Sequence, residues 1–316
     1  MALHSVIQAA LSSAAGLPAY DALPIAQARA QAKLGYPIRK EPVPVGKVTN
    51  LQIPGPGGAL ALRIYHPVGH GPSPIVVFFH GSGFVILDLD THDDICRRLC
   101  AGASCVVVSV DYRLAPEHKF PAAPDDCLAA TLWVAEHAGE FGGDPARMAV
   151  AGDSAGGCLA AVTAQRIREE GGPRLQGQLL WYPVTDYPTA TPDSYLAYGA
   201  GFGLTQIGIQ WYWDQYLEDS CAGSHPHASP LRAASTAGLP SAYVLVAEFD
   251  VLRDEGEAFA RRLVEGGVDT VTRRWPSMNH GFLKYTGVIA DADAAMADAC
   301  TWLKSIFQRN PNPIQA

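Results

Sequence analysis

The segment with the clearest chemical content is Gly152-Asp153-Ser154-Ala155-Gly156, a G-x-S-x-G pentapeptide. It follows the apolar run Met148–Ala151 and precedes a helical pattern, so Ser154 falls on a strand-to-helix turn. A serine hydroxyl is a poor nucleophile unaided. A sharp turn lifts its oxygen clear of the sheet, and the helix behind it offers unpaired N–H groups and the positive end of its dipole. The plainer alternative is a packing turn in which Ser154 only caps the helix. A second segment, His80-Gly81-Ser82-Gly83-Phe84, also follows an apolar run. Its small residues leave main-chain N–H groups free, and those of Ser82 and Gly83, with that of Ala155, are the candidate oxyanion hole. Each such donor contributes about 3–4 kcal/mol in comparable sites.

A serine nucleophile requires a base, and the base requires a carboxylate to orient it. Ten histidines are present. His4, His70, His118 and His137 lie in polar or helical surroundings that suit solvated or core residues. His92 beside Asp93 and Asp94, and the His225-Pro226-His227 run, hint at metal ligation, but neither has a full ligand set at regular spacing. His280 differs, because Asn279-His280-Gly281-Phe282 follows the last strand-like run and should emerge on the same edge as Ser154. For the acid, Asp250 lies just beyond the run Tyr243–Ala247, while Asp254 and Glu255 read as caps of the next helix. The candidate triad is therefore Ser154, Asp250 and His280, in the chain order of an α/β-hydrolase fold.

These residues need a frame. Lys47–Ile53 and Ala59–Tyr65, separated by a Gly/Pro-rich stretch, predict a hairpin. Apolar runs then recur at Ile75–Phe79, Cys105–Val110, Met148–Ala151, Gln178–Tyr182, Tyr243–Ala247 and, less apolar, Thr270–Trp275, as expected for strands buried on both faces. Helical patterns fall between and after them, at Thr91–Ala101, Pro124–His137, Ala155–Glu170, Gly256–Glu265 and Ala290–Gln308. The alternation predicts an α/β fold, a mostly parallel central sheet flanked by helices. About sixty residues between Tyr182 and Tyr243, rich in aromatics, exceed a simple crossover. With the N-terminal stretch, where Leu3, Ile7, Ala10, Leu11 and Ala14 share a helix face, they suggest a small helical cap of residues 1–45 and 185–225 over a catalytic domain of 46–184 and 226–316.

Composition narrows the class. Hydrophobic residues make up 48% and charged residues 17% of 316, which fits a globular domain rather than a disordered or coiled-coil chain. A net charge of −8 without a Lys/Arg cluster argues against nucleic acid. The seven scattered cysteines form no C-x-x-C pair, so a reducing, cytoplasmic location is expected. No apolar run reaches the ~18 residues that would span a membrane, and the N-terminal stretch lacks the basic start of a signal peptide.

Together the segments resemble the bacterial hormone-sensitive-lipase-like esterases, the family IV carboxylesterases of the α/β-hydrolase superfamily. The likeness rests on His80–Phe84, Asp111–His118 with Phe120–Asp126, Gly152–Gly157, Asp250–Gly256 and His280–Phe282. It implies Ser154 as nucleophile, His280 as general base and acid, Asp250 as its partner, and the amides of Ser82, Gly83 and Ala155 as oxyanion hole. It further implies short-to-medium acyl esters as substrates, a two-part helical cap, no cofactor, and a homodimer formed through sheet-edge strands. One departure is the H-G-S-G of this chain where the family has H-G-G-G. Alternatives are an amidase or formamidase on the same triad, and a non-catalytic receptor like the gibberellin receptors, which lack the base histidine. A lipase acting on longer chains is a weaker one.

Overall fold

The computed structural model describes residues 2–36, 39–69, 71–189 and 191–309, so His70 lies outside the described residues. Eight strands form one sheet: β1 (Lys47–Gly55), β2 (Gly58–His66), β3 (Ser73–Phe79), β4 (Val106–Val110), β5 (Gly143–Asp153), β6 (Leu175–Trp181), β7 (Ser241–Phe249) and β8 (Thr270–Asn279). Their order is β1-β2-β4-β3-β5-β6-β7-β8. β2 runs antiparallel to β1 and β4, and the rest are parallel.

The predicted runs in β3 to β7 are buried on both faces, whereas Thr270–Trp275 holds no buried residue, because β8 is an outer strand with one side unpaired. In β3, Ile75, Val77 and Phe79 face a core shared with α4 (Ala122–His137), α5 (Ala155–Glu170) and α8 (Arg253–Glu265). Val76 and Phe78 face the opposite core, built with α3 (Asp93–Ala103) and α9 (Ala290–Gln308). Helices thus cover both sides, and the strand C-termini converge on one edge, where an open α/β sheet places its site.

Several element ends differ from the sequence expectation. α3 starts at Asp93 rather than Thr91, because Thr91 closes a turn with Asp88 and leaves His92 buried ahead of the helix. α8 starts at Arg253, three residues early, and this corrects the capping roles of Asp254 and Glu255. Their carboxylates turn away from the helix: Asp254 accepts from the Ser194 amide (2.8 Å), and Glu255 from the Thr185 amide (2.8 Å) and the Tyr195 hydroxyl (2.9 Å). β8 continues past Trp275 to Asn279, and a register shift in its pairing with β7 sets Phe249 opposite Asn279.

Beyond the sheet, α1 (Ser5–Ala14) and α2 (Ile25–Leu34) precede β1, while α6 (Asp193–Tyr198) and α7 (Gln206–Tyr216) lie in the long β6–β7 connection. The α1 face is narrower than expected: Ile7 is buried, Leu3 and Leu11 pack in part, and Ala14 is exposed. All seven cysteines are free, six buried and Cys221 exposed. Among the described residues no helix is long and apolar enough to cross a membrane.

Candidate active site

Strand pairing brings the three triad candidates together. Asp153, the last residue of β5, lies opposite Trp181 of β6, so Ser154 emerges at the sheet edge. Phe249 and Asn279 are paired across β7 and β8, so the next residues, Asp250 and His280, leave adjacent strands side by side. The Ser154 hydroxyl donates to His280 Nε2 at 2.8 Å, and His280 Nδ1 donates to Asp250 Oδ2 at 2.8 Å. Asp250 is sealed from solvent, and its other oxygen accepts from the Leu252 amide at 2.9 Å. A carboxylate at Nδ1 keeps the proton on that nitrogen and leaves Nε2 as the acceptor facing serine. The Tyr182 ring meets the imidazole edge-on at 5.0 Å and fixes its plane.

Ser154 takes φ 55° and ψ −122°, a conformation L-residues avoid, and its side chain makes no capping bond. The turn therefore presents the hydroxyl to His280 and not to a helix amide. A Cβ on Gly156 would overlap the Phe79 carbonyl, so the helix can approach the strand end so closely only through glycine. Gly83, at φ 54°, is glycine for another reason: the Tyr212 ring of α7 occupies the space a side chain would need.

The main-chain N–H groups of Ser82, Gly83 and Ala155 take no hydrogen-bond partner among the described residues, as an oxyanion hole requires. Gly81 is different, because its amide donates to Asp153 Oδ1 at 2.7 Å. Ser82 keeps a negative φ, and its hydroxyl turns into the loop. A chain of hydrogen bonds runs from the Phe84 amide to Ser82 Oγ (2.8 Å), from Ser82 to the Tyr112 hydroxyl (2.6 Å), and from Tyr112 to the His80 carbonyl (2.6 Å). The His80 ring stacks on Tyr112 at 4.5 Å.

Beneath this loop lies a second buried polar group. Asp153 faces His92, with Nε2 3.3 Å from Oδ1, and His92 Nδ1 lies 3.1 Å from Thr91 Oγ1. Burial pushes the Asp153 carboxyl up, but His92 and the Gly81 amide outweigh it and hold it below the usual carboxylate range. Burial, reinforced by His92, pushes His80 down to about 3, so His80 stays neutral and serves structure. His92 is thus a partner of Asp153. His225 and His227 contact each other, with His227 3.3 Å from Glu169. Among the described residues no group of three metal-binding side chains exists. His4 accepts from the Val6 amide, His137 stacks on Trp133, and His118 is exposed.

The Asp111–His118 segment carries bracing charges, as expected. Arg113 pairs with buried Asp126 at 2.8 Å, and Arg29 of α2 forks onto Glu117 (2.8 and 2.7 Å) while donating to the Val85 and Ala115 carbonyls. Sequence reasoning passed over Tyr112 and over a grip on the acid and base loops. Asn279 donates to the Phe202 carbonyl at 2.8 Å, Phe202 stacks on Phe249 at 5.4 Å, and the Ser194 hydroxyl donates to the Val251 carbonyl at 2.7 Å. The β6–β7 connection thus holds the residues next to both Asp250 and His280.

Comparison with known proteins agrees with this geometry. An α/β-hydrolase-fold family profile matches residues 76–284. The carboxylic ester hydrolase LipN of Mycobacterium tuberculosis is 50% identical over 242 residues, 75% of this chain and 64% of that protein. Esterase LipI of the same organism is 44% identical over 262 residues, 81% of each. A hyperthermophilic esterase from the archaeon Pyrobaculum calidifontis superposes with a TM-score of 0.93 at 37% identity, covering 97% of this chain and 99% of the other. With a serine, an imidazole and a carboxylate joined at the ends of β5, β8 and β7 and relatives of this kind, the chain belongs to the α/β-hydrolase family, in its hormone-sensitive-lipase-like esterase branch.

Proposed function

We propose that this protein is a serine carboxylesterase that hydrolyses short- to medium-chain acyl esters through an acyl-enzyme. The observation that carries the reading is the unbroken relay from Ser154 through His280 to Asp250, with both bonds at 2.8 Å. Ser154 Oγ attacks the ester carbonyl as its proton passes to His280 Nε2. Charge then develops on the carbonyl oxygen, where the amides of Ser82, Gly83 and Ala155 receive it. His280 returns the proton to the departing alcohol, and Asp250 stabilises the imidazolium between the two transfers. Water activated by the same imidazole hydrolyses the acyl-enzyme. The chain's own groups and water suffice for each step.

Residues 1–45 and 185–225 act as the cap, and 46–184 with 226–316 as the catalytic unit. The seven free cysteines favour a cytoplasmic setting. An intact base favours catalysis over a receptor role on this scaffold. Ser154→Ala is expected to lower kcat for p-nitrophenyl butyrate by roughly 10⁴- to 10⁶-fold with an unchanged melting temperature. Hydrolysis by that variant at the parental rate would overturn the assignment.

A further inference from the structure

Three tyrosines reach the site from separate parts of the chain: Tyr20 on the turn Tyr20–Ala22, Tyr36 just beyond α2, and Tyr212 on α7. The Tyr212 ring lies against Gly83 of the oxyanion loop. The Tyr36 hydroxyl is 3.6 Å from the position of a Cβ on Gly281, the neighbour of His280, and its ring stacks on His92 at 5.5 Å. Tyr20 belongs to a turn that packs on α7. It is close enough to both other rings that an ionised phenol at one position would disfavour ionisation at the next. The three thus span the gap between the oxyanion loop and the base loop.

Their hydroxyls differ from those of four other tyrosines that are tied to fixed partners. Tyr65 donates to Asp93, Tyr112 to His80, Tyr195 to Glu255 and Tyr243 to Asp298. Tyr20, Tyr36 and Tyr212 have half-buried rings packed on the main core, and their hydroxyls have no hydrogen-bond partner among the described residues. Unlike Tyr216, whose hydroxyl is unpaired and sealed, each of the three residues keeps part of its surface exposed. Burial raises the pKa of each, so all three are neutral donors at working pH.

We propose that Tyr20, Tyr36 and Tyr212 form a hydrogen-bond-donating collar that selects esters carrying a second oxygen acceptor, an ether, keto or hydroxyl oxygen, a few atoms from the scissile carbonyl. The inference rests on the esterase reading and names its preferred substrates. An alkyl chain seated in the collar displaces water from the phenols and leaves them unpaired, whereas an acceptor replaces the lost bond.

The test uses two matched pairs in which one methylene becomes oxygen: butyl against 2-methoxyethyl butyrate, and butyl pentanoate against butyl 3-methoxypropanoate. Each kcat/KM is divided by the hydroxide rate of the same ester, which removes intrinsic reactivity. The parent should favour the ether ester of at least one pair by about tenfold, the discrimination one buried hydrogen bond supplies. In Tyr20→Phe, Tyr36→Phe and Tyr212→Phe, which keep the rings, that preference should fall toward one, most of all at position 212. A parental ratio near one in both pairs, or a ratio kept in all three variants, would overturn the collar while leaving the esterase reading intact. Failure of the parent to hydrolyse any of these esters or p-nitrophenyl butyrate would instead overturn the esterase reading, and the collar with it.

Discussion

At the scale of single residues, Ser82 accounts for a departure from the family's usual glycine. Its hydroxyl is the middle of a chain that ties the Phe84 amide to Tyr112 and Tyr112 to the His80 carbonyl. A loop with left-handed residues at both Gly83 and Phe84 has several backbone alternatives, and this chain of bonds favours the one observed, in which the amides of 82 and 83 are left unpaired. Ser82→Ala and Tyr112→Phe should each lower kcat about tenfold, on the scale of one buried hydrogen bond, ~1–1.5 kcal/mol, with little change in KM. Because both act through one chain, the double variant should lose little more than either alone. Fully additive losses, or losses in KM only, would show that the chain does not set the oxyanion loop. The residues of the candidate triad were legible beforehand because each lies beside a strand-like run with a local signature. Tyr112 was not, since a buried tyrosine ending a strand reads as core until its hydroxyl finds Ser82.

At the scale of elements, the central strands were legible from unbroken apolar runs, whereas the starts of α3 and α8 were not. Each was displaced by side chains that bond outside their own helix: Thr91 to Asp88, and Asp254 and Glu255 to the β6–β7 connection. The register shift that sets Phe249 against Asn279 has no period-two signature either. Glu255 carries a measurable consequence. Burial pushes its carboxyl up to about 8, against the pull of the Thr185 amide and the Tyr195 hydroxyl. The folded state therefore holds this proton more tightly than the unfolded chain, whose carboxyl titrates near the ordinary ~4.3. The contribution is complete below that value and is lost as pH rises through about 8. Glu255→Gln cannot ionise, and its amide can keep partners at Thr185 and Tyr195. Its melting temperature should fall less between pH 6 and 9 than that of the parent, and parallel curves for the two proteins would contradict the shift.

At the scale of the whole molecule, the sheet has two outer strands, β1 and β8. The charges that would repel a neighbour along β8 are internally matched, Arg273 with Asp298 at 3.0 Å and Arg274 with Glu257 at 2.6 Å. Edge-to-edge pairing of β8 with a second copy is therefore the expected assembly. Light scattering on the eluting protein should report twice the 33.6 kDa chain mass, and a single-chain mass at micromolar concentration would exclude it. The N-terminal and β6–β7 helices show in the sequence as an interruption of the β-α rhythm and read together as a cap, but the meeting of Tyr20, Tyr36 and Tyr212 does not, because positions 20, 36 and 212 share no local pattern.

The grip of the β6–β7 connection on Phe249 and Asn279 bears on engineering. Roofs of related hydrolases are tempting to graft as spare parts, since they shape what enters. Here the β6–β7 connection also steadies the two strand tips that carry Asp250 and His280. A transplant that omits the partners of Phe202 and Ser194 should lose turnover before it gains a new range of guests, so the strand tips and the stretch above them need to travel as one cassette.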